Sequence, residues 1–272
     1  MLNIGDHCFD IGAQKGELSL KFAELVGSTG SVIAFEPCWP LYAEMCQQFQ
    51  THATRTTSAP ITPCCWELSD RLQSAAIHVP ISDYGAEFGV GSMADPGNWS
   101  LAQDRWRENQ TAVRIQSYQA DFITLDRFMK VCCAIVPDFV KIDVEGAELL
   151  VLQGAKDFFA AGHRPLMLLE IFAPWEKAFH YQPWAPLSLL LSYGYEILFI
   201  CPVGAVKHRP TLEQPFPVEY EAGYNIIAYQ PQLHQSRIKA RKVRSFVESL
   251  NRQLSLHLLP GYLPELNPDE WV

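Results

Sequence analysis

The chain alternates short apolar runs with segments in which apolar residues recur every three or four positions. The first run ends in Asp10-Ile11-Gly12-Ala13, and helical spacing follows over residues 18–26. A second apolar run, over residues 31–35, ends in the acidic residue Glu36. Strand, glycine-bearing turn, helix and strand in this order predict the opening βαβ unit of a parallel sheet.

The same alternation continues along much of the chain. Pro63 places the third predicted strand at a sheet edge, because proline cannot donate to a strand ladder. Several later strands are almost uniformly apolar, as in a parallel sheet covered by helices on both faces. We therefore expect a Rossmann-like α/β fold with about seven strands, the last of them antiparallel. The further predicted elements are helices over residues 40–49, 146–154 and 187–193, a short helix capped by Thr124, and strands over residues 61–68, 139–143, 165–171, 196–200 and 224–229.

Between residues 70 and 118 the alternation loosens into a long excursion. It contains a glycine-rich stretch and the aromatic residues Phe88, Trp99 and Trp106. An excursion of this length within a compact domain is usually functional. We expect residues 88–106 to form a mobile cover over a substrate-binding site. The aromatic residues would form either a binding platform for the substrate or a local core.

Beyond residue 230 the composition becomes basic and helical. Arg237, Arg241 and Arg244 share one helical face, which is either solvated or a docking surface for a partner or an acidic substrate. We therefore expect one α/β domain over residues 1–230, which includes the excursion, and a C-terminal extension over residues 231–272.

The glycine turn and Glu36 together predict a nucleoside site. Glycine allows positive φ and lets a ligand approach the backbone, and an acid that ends the next strand can accept from ribose hydroxyls. Asp10 ends the preceding strand in the same way. The dinucleotide pattern G-x-G-x-x-G is broken at Gln14, which disfavours a pyrophosphate. A nucleoside without phosphates is favoured, and S-adenosylmethionine is the common example.

Composition narrows the class of partner. The 272 residues carry a formal net charge of −9 and a pI of about 5.4, which argue against a nucleic-acid partner. Hydrophobic residues make up 48% of the chain, enough for a large core. The eight cysteines include no C-x-x-C motif, so we expect reduced thiols in a cytoplasmic protein.

Neither a secretory leader nor a membrane span is expected. No charged and then apolar leader precedes the first strand. The apolar segment over residues 187–206 is interrupted by Tyr193-Gly194-Tyr195-Glu196, which predicts a helix followed by a strand. The oligomeric state stays open, with a homodimer as one option.

Four segments together resemble the FkbM family of S-adenosylmethionine-dependent methyltransferases. They are Asp10-Ile11-Gly12-Ala13 with Gly16, Ala34-Phe35-Glu36-Pro37, Val140-Lys141-Ile142-Asp143-Val144-Glu145-Gly146 with Glu148, and Arg164-Pro165 leading into Leu169-Glu170-Ile171. The resemblance covers roughly residues 5–230 and implies a class I methyltransferase fold. It also implies O-methylation of a hydroxylated small molecule, such as a glycoside or a polyketide.

By this resemblance, S-adenosylmethionine would lie across the carboxyl ends of the first strands. The glycine loop carries Gln14-Lys15 where the family more usually has asparagine and a hydrophobic residue. The residues expected to bind the cofactor are Asp10, Gly12, Ala13, Gln14, Gly16, Glu36, Pro37, Glu67, Leu68, Ser69 and Asp143.

Acidic residues also follow two later strands that should be neighbours in the sheet. Asp143 and Glu145 follow one strand, and Glu170 ends the next. They suit either a general base for an acceptor hydroxyl or the ligands of a divalent cation such as Mg²⁺, although no histidine supports the metal. Asp143 and Glu145 could instead cap the following helix. Lys141 should either extend out of the apolar strand towards solvent or pair with one of these acids, and we include it with them as a candidate catalytic residue.

The sequence therefore favours an S-adenosylmethionine-dependent O-methyltransferase of small molecules. Two alternatives stay open: an enzyme of the same fold with a macromolecular acceptor, and a non-catalytic protein that binds a partner. The intact glycine loop and Glu36 count against the second of these alternatives.

Overall fold

The computed structural model describes residues 1–52, 57–82, 92–94, 113–132, 135–172, 178–201, 204–207 and 224–238. The strands are β1 His7–Ile11, β2 Ser31–Phe35, β3 Ile61–Cys64, β4 Glu67–Leu68, β5 Gln73–Ser82, β6 Val113–Ile123, β7 Phe139–Ile142, β8 Leu166–Ile171, β9 Glu196–Cys201, β10 Gly204–Lys207 and β11 Tyr224–Tyr229. The helices are α1 Glu17–Val26, α2 Trp39–His52, α3 Leu125–Val131, α4 Glu148–Gln153, α5 Lys156–Ala160, α6 Ala185–Ser192 and α7 Pro231–His234.

Eight of these strands form one sheet in the order β10-β9-β11-β8-β7-β1-β2-β3. Neighbouring strands in the part β8-β7-β1-β2-β3 pair in parallel, whereas β11 is antiparallel to both β8 and β9. The predicted Rossmann-like, mostly parallel sheet with an antiparallel last strand is confirmed, and β10 adds a short edge strand. The strand order reverses between β1 and β7, and ligands of such sheets bind beyond the carboxyl ends of the strands at this point.

The central strands are buried on both faces, because helices pack on each side of the sheet. Phe9 of β1 faces the side covered by α3 to α6, where its ring centroid lies 5.9 Å from that of Phe35 and 6.0 Å from that of Phe128. Cys8, the preceding residue, belongs to the opposite core with Phe22 of α1. The near-continuous apolar runs of the sequence follow from this double burial.

The predicted third strand over residues 61–68 is wrong in its extent. β3 ends at Cys64, and the short strand β4 pairs instead with β6 in a second sheet. Pro63 does lie in the edge strand of the main sheet, as predicted. The apolar pattern continues through the change of sheet, so periodicity did not reveal the break at Cys65-Trp66.

Part of the long excursion is sheet rather than loop. β5 and β6 pair antiparallel along almost their whole length and form a three-stranded sheet with β4. Ile77 and Val79 of β5 are buried against Cys38 and Leu41, so this second sheet packs beside the beginning of α2. Its outer face carries exposed polar residues, which gave the sequence the appearance of a loop.

The predicted cover over residues 88–106 falls outside the described residues, apart from residues 92–94. Phe88, Trp99 and Trp106 are among the residues that the structure does not describe. The expectation of an aromatic acceptor platform therefore stays a prediction.

Arg237 does not lie on a solvated helical face. Its guanidinium donates to both carboxylate oxygens of Asp6, at 2.8 and 3.0 Å, and its side chain is 17% exposed. The next residue, Ile238, is buried in the core beside α1. The chain thus stays attached to the sheet through residue 238, while Arg241 and Arg244 lie beyond the described residues.

The apolar segment after residue 187 forms α6 and β9, in agreement with the prediction of a helix followed by a strand. Among the helices that the structure describes, none has the length and apolar character needed to cross a membrane. No disulfide bond forms among the described cysteines Cys8, Cys38, Cys46, Cys64, Cys65 and Cys132.

Candidate active site

The glycine loop between β1 and α1 packs directly against the end of β7. Gly12 and Gly16 have φ angles of 77° and 83°, in the left-handed region that glycine tolerates. A Cβ atom on Gly12 would lie 1.9 Å from the carbonyl oxygen of Asp143, a separation that real side chains do not show. The loop also donates from the N–H of Ala13 to the carbonyl of Phe35 at 2.8 Å. Its backbone is therefore held between the ends of β2 and β7.

Glu36 is fixed at the carboxyl end of β2 by backbone donors on both of its oxygens. Gln14 N–H donates to Oε2 and Cys38 N–H donates to Oε1, each at 2.8 Å. The side chain is buried, and burial raises the pKa of Glu36 to about 8, although the two N–H groups oppose this shift. Each carboxylate oxygen keeps a further lone pair, so Glu36 can still accept from a ligand.

A cleft with about 730 Å³ of empty space, part of it open to solvent, lies over the carboxyl ends of the strands. Its walls come from the glycine loop, the β2–α2 turn, β5 and the β7–α4 loop. The lining residues are Gly12, Ala13, Gln14, Glu17, Leu18, Glu36, Pro37, Leu41, Glu67, Ile77, Lys141, Asp143, Val144 and Glu145.

Most of the predicted cofactor residues line this cleft, but four do not. Asp10, Leu68 and Ser69 are completely buried behind its wall. A Cβ atom on Gly16 would lie 2.5 Å from the ring of Phe49, so this glycine allows close packing of the loop on α2. These four positions support the site rather than line it.

Lys141 lies in a buried strand and is surrounded by oxygen atoms. Its Nζ donates to the carbonyl of Gly12 at 2.6 Å and lies 3.4 Å from Oδ1 of Asp10 and 3.3 Å from Oδ2 of Asp143. Burial lowers the pKa of Lys141, but Asp143 and Asp10 outweigh it and the pKa is raised. Lys141 is therefore a fixed cation, and its pairing with Asp143 is one of the two arrangements that the sequence left open.

Three carboxylates come together at the ends of the neighbouring strands β7 and β8. Asp143, Glu145 and Glu170 each offer an oxygen within 4.8 Å of the others, and all three are half-buried. Burial, followed by the charges of Asp143 and Glu145, raises the pKa of Glu170 well above its usual range. A cluster of three carboxylates like this one can share a proton at neutral pH or supply oxygen ligands to a divalent cation.

The acids do not cap the following helix. α4 begins at Glu148, and its N-cap residue, Ala147, has no side chain that could cap it. Glu148 reaches back instead, and its Oε1 accepts from the N–H groups of Val144 and Gly146 at 3.0 and 3.3 Å. Burial raises the pKa of Glu148 to about 7, because a neutral carboxyl is less costly to desolvate.

Sequence reasoning missed the residues that hold this acidic loop. Ser92 Oγ donates to the carbonyl of Glu145 at 2.9 Å, and Tyr181 O–H donates to the carbonyl of Gly146. Both come from segments distant in sequence, and no motif marks them. The second glutamate of the E-G-x-E run, Glu148, is the one missed residue with a local signal.

The sheet order and a cleft at its reversal point are those of the class I S-adenosylmethionine-dependent methyltransferase fold. The residues present fit this cofactor. Gly12 lines the cleft without a side chain that would fill it, and Glu36 offers acceptor oxygens at the end of β2. The neighbouring carboxylates suit a ligand that carries positive charge.

The chain belongs to the FkbM methyltransferase family. The family model described as "Methyltransferase FkbM domain" matches residues 10–197, well over half of the chain. A comparison with curated proteins found no match. The family assignment confirms the resemblance drawn from the four sequence segments, and with it the dependence on S-adenosylmethionine.

Three solved structures are reported as similar to this chain, all at low identity. The FkbM methyltransferase of Methylobacillus flagellatus KT is 15% identical with a TM-score of 0.48, over 84% of this chain and 44% of that one. Aeropyrum pernix fibrillarin with bound S-adenosyl-L-methionine is 13% identical with a TM-score of 0.41, over 83% and 67%. A Thermotoga maritima S-adenosylmethionine-dependent O-methyltransferase is 13% identical with a TM-score of 0.41, over 84% and 60%. Likenesses this distant add nothing to the family assignment.

Proposed function

We propose that this protein transfers the methyl group of S-adenosylmethionine to a hydroxyl of a sugar, a polyketide or a related small molecule. The observation that carries the proposal is the cluster of Asp143, Glu145 and Glu170 beside the glycine loop. Transfer to a hydroxyl requires a group that accepts its proton, and carboxylates held close together can do so. The cluster supports O-methylation more than it supports mere cofactor binding.

The cofactor-binding roles follow from the cleft. The methionine part would lie over the loop from Asp10 to Gly16, the ribose on Glu36 and the base towards Glu67. When bound, S-adenosylmethionine supplies an electrophilic methyl group on a sulfonium. Lys141 would keep the loop carbonyl of Gly12 and the carboxylate of Asp143 in place, because it contacts both.

Proton acceptance would belong to the acidic cluster as a unit. Burial and the like charges of its neighbours raise the pKa of Glu170, so the cluster takes up a proton more readily than isolated carboxylates would. A divalent cation on the same oxygens would instead lower the pKa of the hydroxyl. The two roles differ in their response to a chelator.

The test is methyl transfer from methyl-labelled S-adenosylmethionine to a panel of glycosides and polyketides. Asp143→Asn should abolish transfer and keep the affinity for S-adenosylhomocysteine, which carries no sulfonium charge, because the substitution removes a charge with little change in shape. Asp157→Asn, an exposed acid on α5, is the matched control. Loss of transfer in EDTA would assign the cluster to a cation. Transfer that persists in Asp143→Asn and in EDTA would exclude both roles.

The same assay separates the alternatives. Binding of S-adenosylmethionine in calorimetry without methylation of any small molecule would favour a macromolecular acceptor. The net charge of −9 argues against a nucleic acid as that acceptor. A protein that does not bind the cofactor would favour the non-catalytic alternative.

A further inference from the structure

The acidic loop after β7 adopts a backbone conformation that its own sequence does not favour. Glu145 has a φ of 52° and Gly146 a φ of 100°, so two successive residues lie in the left-handed region. Glycine tolerates this region, whereas a glutamate does so only when its surroundings impose it. The direction of the Glu145 side chain depends on this φ angle, and so does its place in the cluster with Asp143 and Glu170.

Two hydroxyl groups hold the carbonyls of these two residues. Ser92 Oγ donates to the carbonyl of Glu145 at 2.9 Å, and Tyr181 O–H donates to the carbonyl of Gly146. A change of Glu145 to the right-handed region would turn the peptide groups around it and break these hydrogen bonds. Glu148 holds the same loop from within, through the N–H groups of Val144 and Gly146.

Ser92 is itself held in a way that leaves little freedom to its hydroxyl. It is 1% exposed, and its backbone exchanges two hydrogen bonds with that of His78 in β5, at 2.8 and 3.1 Å. Its Oγ accepts a hydrogen bond from the N–H of Ala94 at 3.2 Å. The single hydroxyl hydrogen is therefore the one donated to the carbonyl of Glu145. Ala94 packs with Ala178, so the segments that carry Ser92 and Tyr181 meet each other.

We propose that Ser92 and Tyr181 are positioning residues that hold Glu145 in its left-handed conformation and thereby keep its carboxylate with Asp143 and Glu170. The inference rests on the proposed function for the role of the cluster, but not for the geometry of the loop. Ser92 belongs to the excursion between β5 and β6, and Tyr181 to the segment after β8. Two parts of the chain outside the central βαβ units therefore set the geometry of the acids.

The first measurement is hydrogen–deuterium exchange of the amides over residues 143–150 in the cofactor-free protein. Ser92→Ala and Tyr181→Phe should each speed this exchange about three- to tenfold, the effect of losing one hydrogen bond. Ser92→Thr, which keeps a hydroxyl, should restore slow exchange. Ser117→Ala is the matched control, because Ser117 bonds the His78 side chain on the same strand pair and does not touch the loop. Exchange in Ser92→Ala and Tyr181→Phe no faster than in this control would overturn the proposal.

The second measurement separates positioning from mere structural support. Calorimetry would compare the affinities for S-adenosylmethionine, a sulfonium cation, and S-adenosylhomocysteine, which lacks that charge. The wild type should prefer the cation, and Glu145→Gln should lower the preference because it removes a carboxylate. Ser92→Ala should lower it in the same direction, Ser92→Thr should restore it, and Ser117→Ala should leave it unchanged.

The two possible failures are distinguishable. A lowered preference in Glu145→Gln with an unchanged one in Ser92→Ala would overturn the positioning role and leave the proposed function intact. An unchanged preference in Glu145→Gln would contradict the place of Glu145 in the proposed function, and the inference would be lost with it.

Discussion

Gly12→Ala tests the closest backbone approach in the site. The added Cβ atom would lie 1.9 Å from the Asp143 carbonyl oxygen, and since real Cβ atoms essentially never lie closer than 3.0 Å to another atom, the loop must move by about 1 Å. The substitution also places alanine at a φ of 77°. The left-handed conformation costs about 1–2 kcal/mol and the overpacking about 1–3 kcal/mol more, so the free energy of unfolding should fall by about 2–5 kcal/mol.

Gly162→Ala is the matched control for this substitution. Gly162 has a φ of 88°, close to that of Gly12, yet a Cβ atom there would meet nothing within 4 Å. Its free energy of unfolding should fall by only about 1–2 kcal/mol, the conformational cost alone. The difference between the two variants isolates the contact between the glycine loop and β7.

The assays are urea unfolding and calorimetric titration with S-adenosylmethionine. Movement of the loop should displace the Gln14 N–H from Glu36 and weaken cofactor binding by at least about tenfold in Gly12→Ala, or about 1.4 kcal/mol. Gly162→Ala should bind like the wild type. Equal stability and equal affinity in the two variants would refute the view that Gly12 is required by the approach of the loop to Asp143.

Three further predictions follow from buried charges in the same region. Glu36→Ala should weaken S-adenosylmethionine binding by about 1–3 kcal/mol in calorimetry above about pH 8, where the Glu36 carboxyl is ionised and accepts hydrogen bonds as a charged group. Glu24→Ala on the exposed side of α1 should not weaken it, and equal affinities of the two variants would contradict the ribose assignment. Lys141→Met should lower the free energy of unfolding, measured in urea, by about 3–5 kcal/mol, because Asp10 and Asp143 lose the cation that pairs with them. A decrease below about 1 kcal/mol would show that the fold does not require these ion pairs. Since burial raises the pKa of Glu36 from 4.5 to about 8, the folded state keeps a proton that the unfolded chain releases, and stability should fall as pH rises through this window. Glu36 can contribute at most about 1.4 kcal/mol per pH unit to the slope of the free energy of unfolding against pH. Urea unfolding of Glu36→Gln across the same pH range should show a smaller slope than the wild type. An unchanged slope would contradict the effect of burial on Glu36.

The opening βαβ unit could be predicted from sequence because its signals are local. The apolar run before Asp10, the glycines of the loop and the acid after β2 all fall within one short segment, and the structure has β1, α1 and β2 at the expected places. The pairing of β7 with β8 followed from the order of a doubly wound sheet, and it brings Asp143 and Glu170 together.

What could not be predicted depends on contacts between distant segments. Ser92 bonds a residue 53 positions away, and its role exists only because β5 and β6 form a sheet that carries it to the β7–α4 loop. The split of residues 61–68 between two sheets has the same origin, since Glu67-Leu68 finds its partner in β6. Arg237 illustrates the limit for charge, because a helical pattern cannot show that its partner is Asp6 at the other end of the chain.

A crystal structure of the protein with S-adenosylhomocysteine bound would show where the cofactor lies relative to the three carboxylates. The ribose hydroxyls should lie within hydrogen-bond distance of Glu36, and the methionine part should follow the glycine loop. The sulfur should face the cluster of Asp143, Glu145 and Glu170. A nucleoside bound outside this cleft, or a sulfur directed away from the three carboxylates, would contradict the proposed cofactor site.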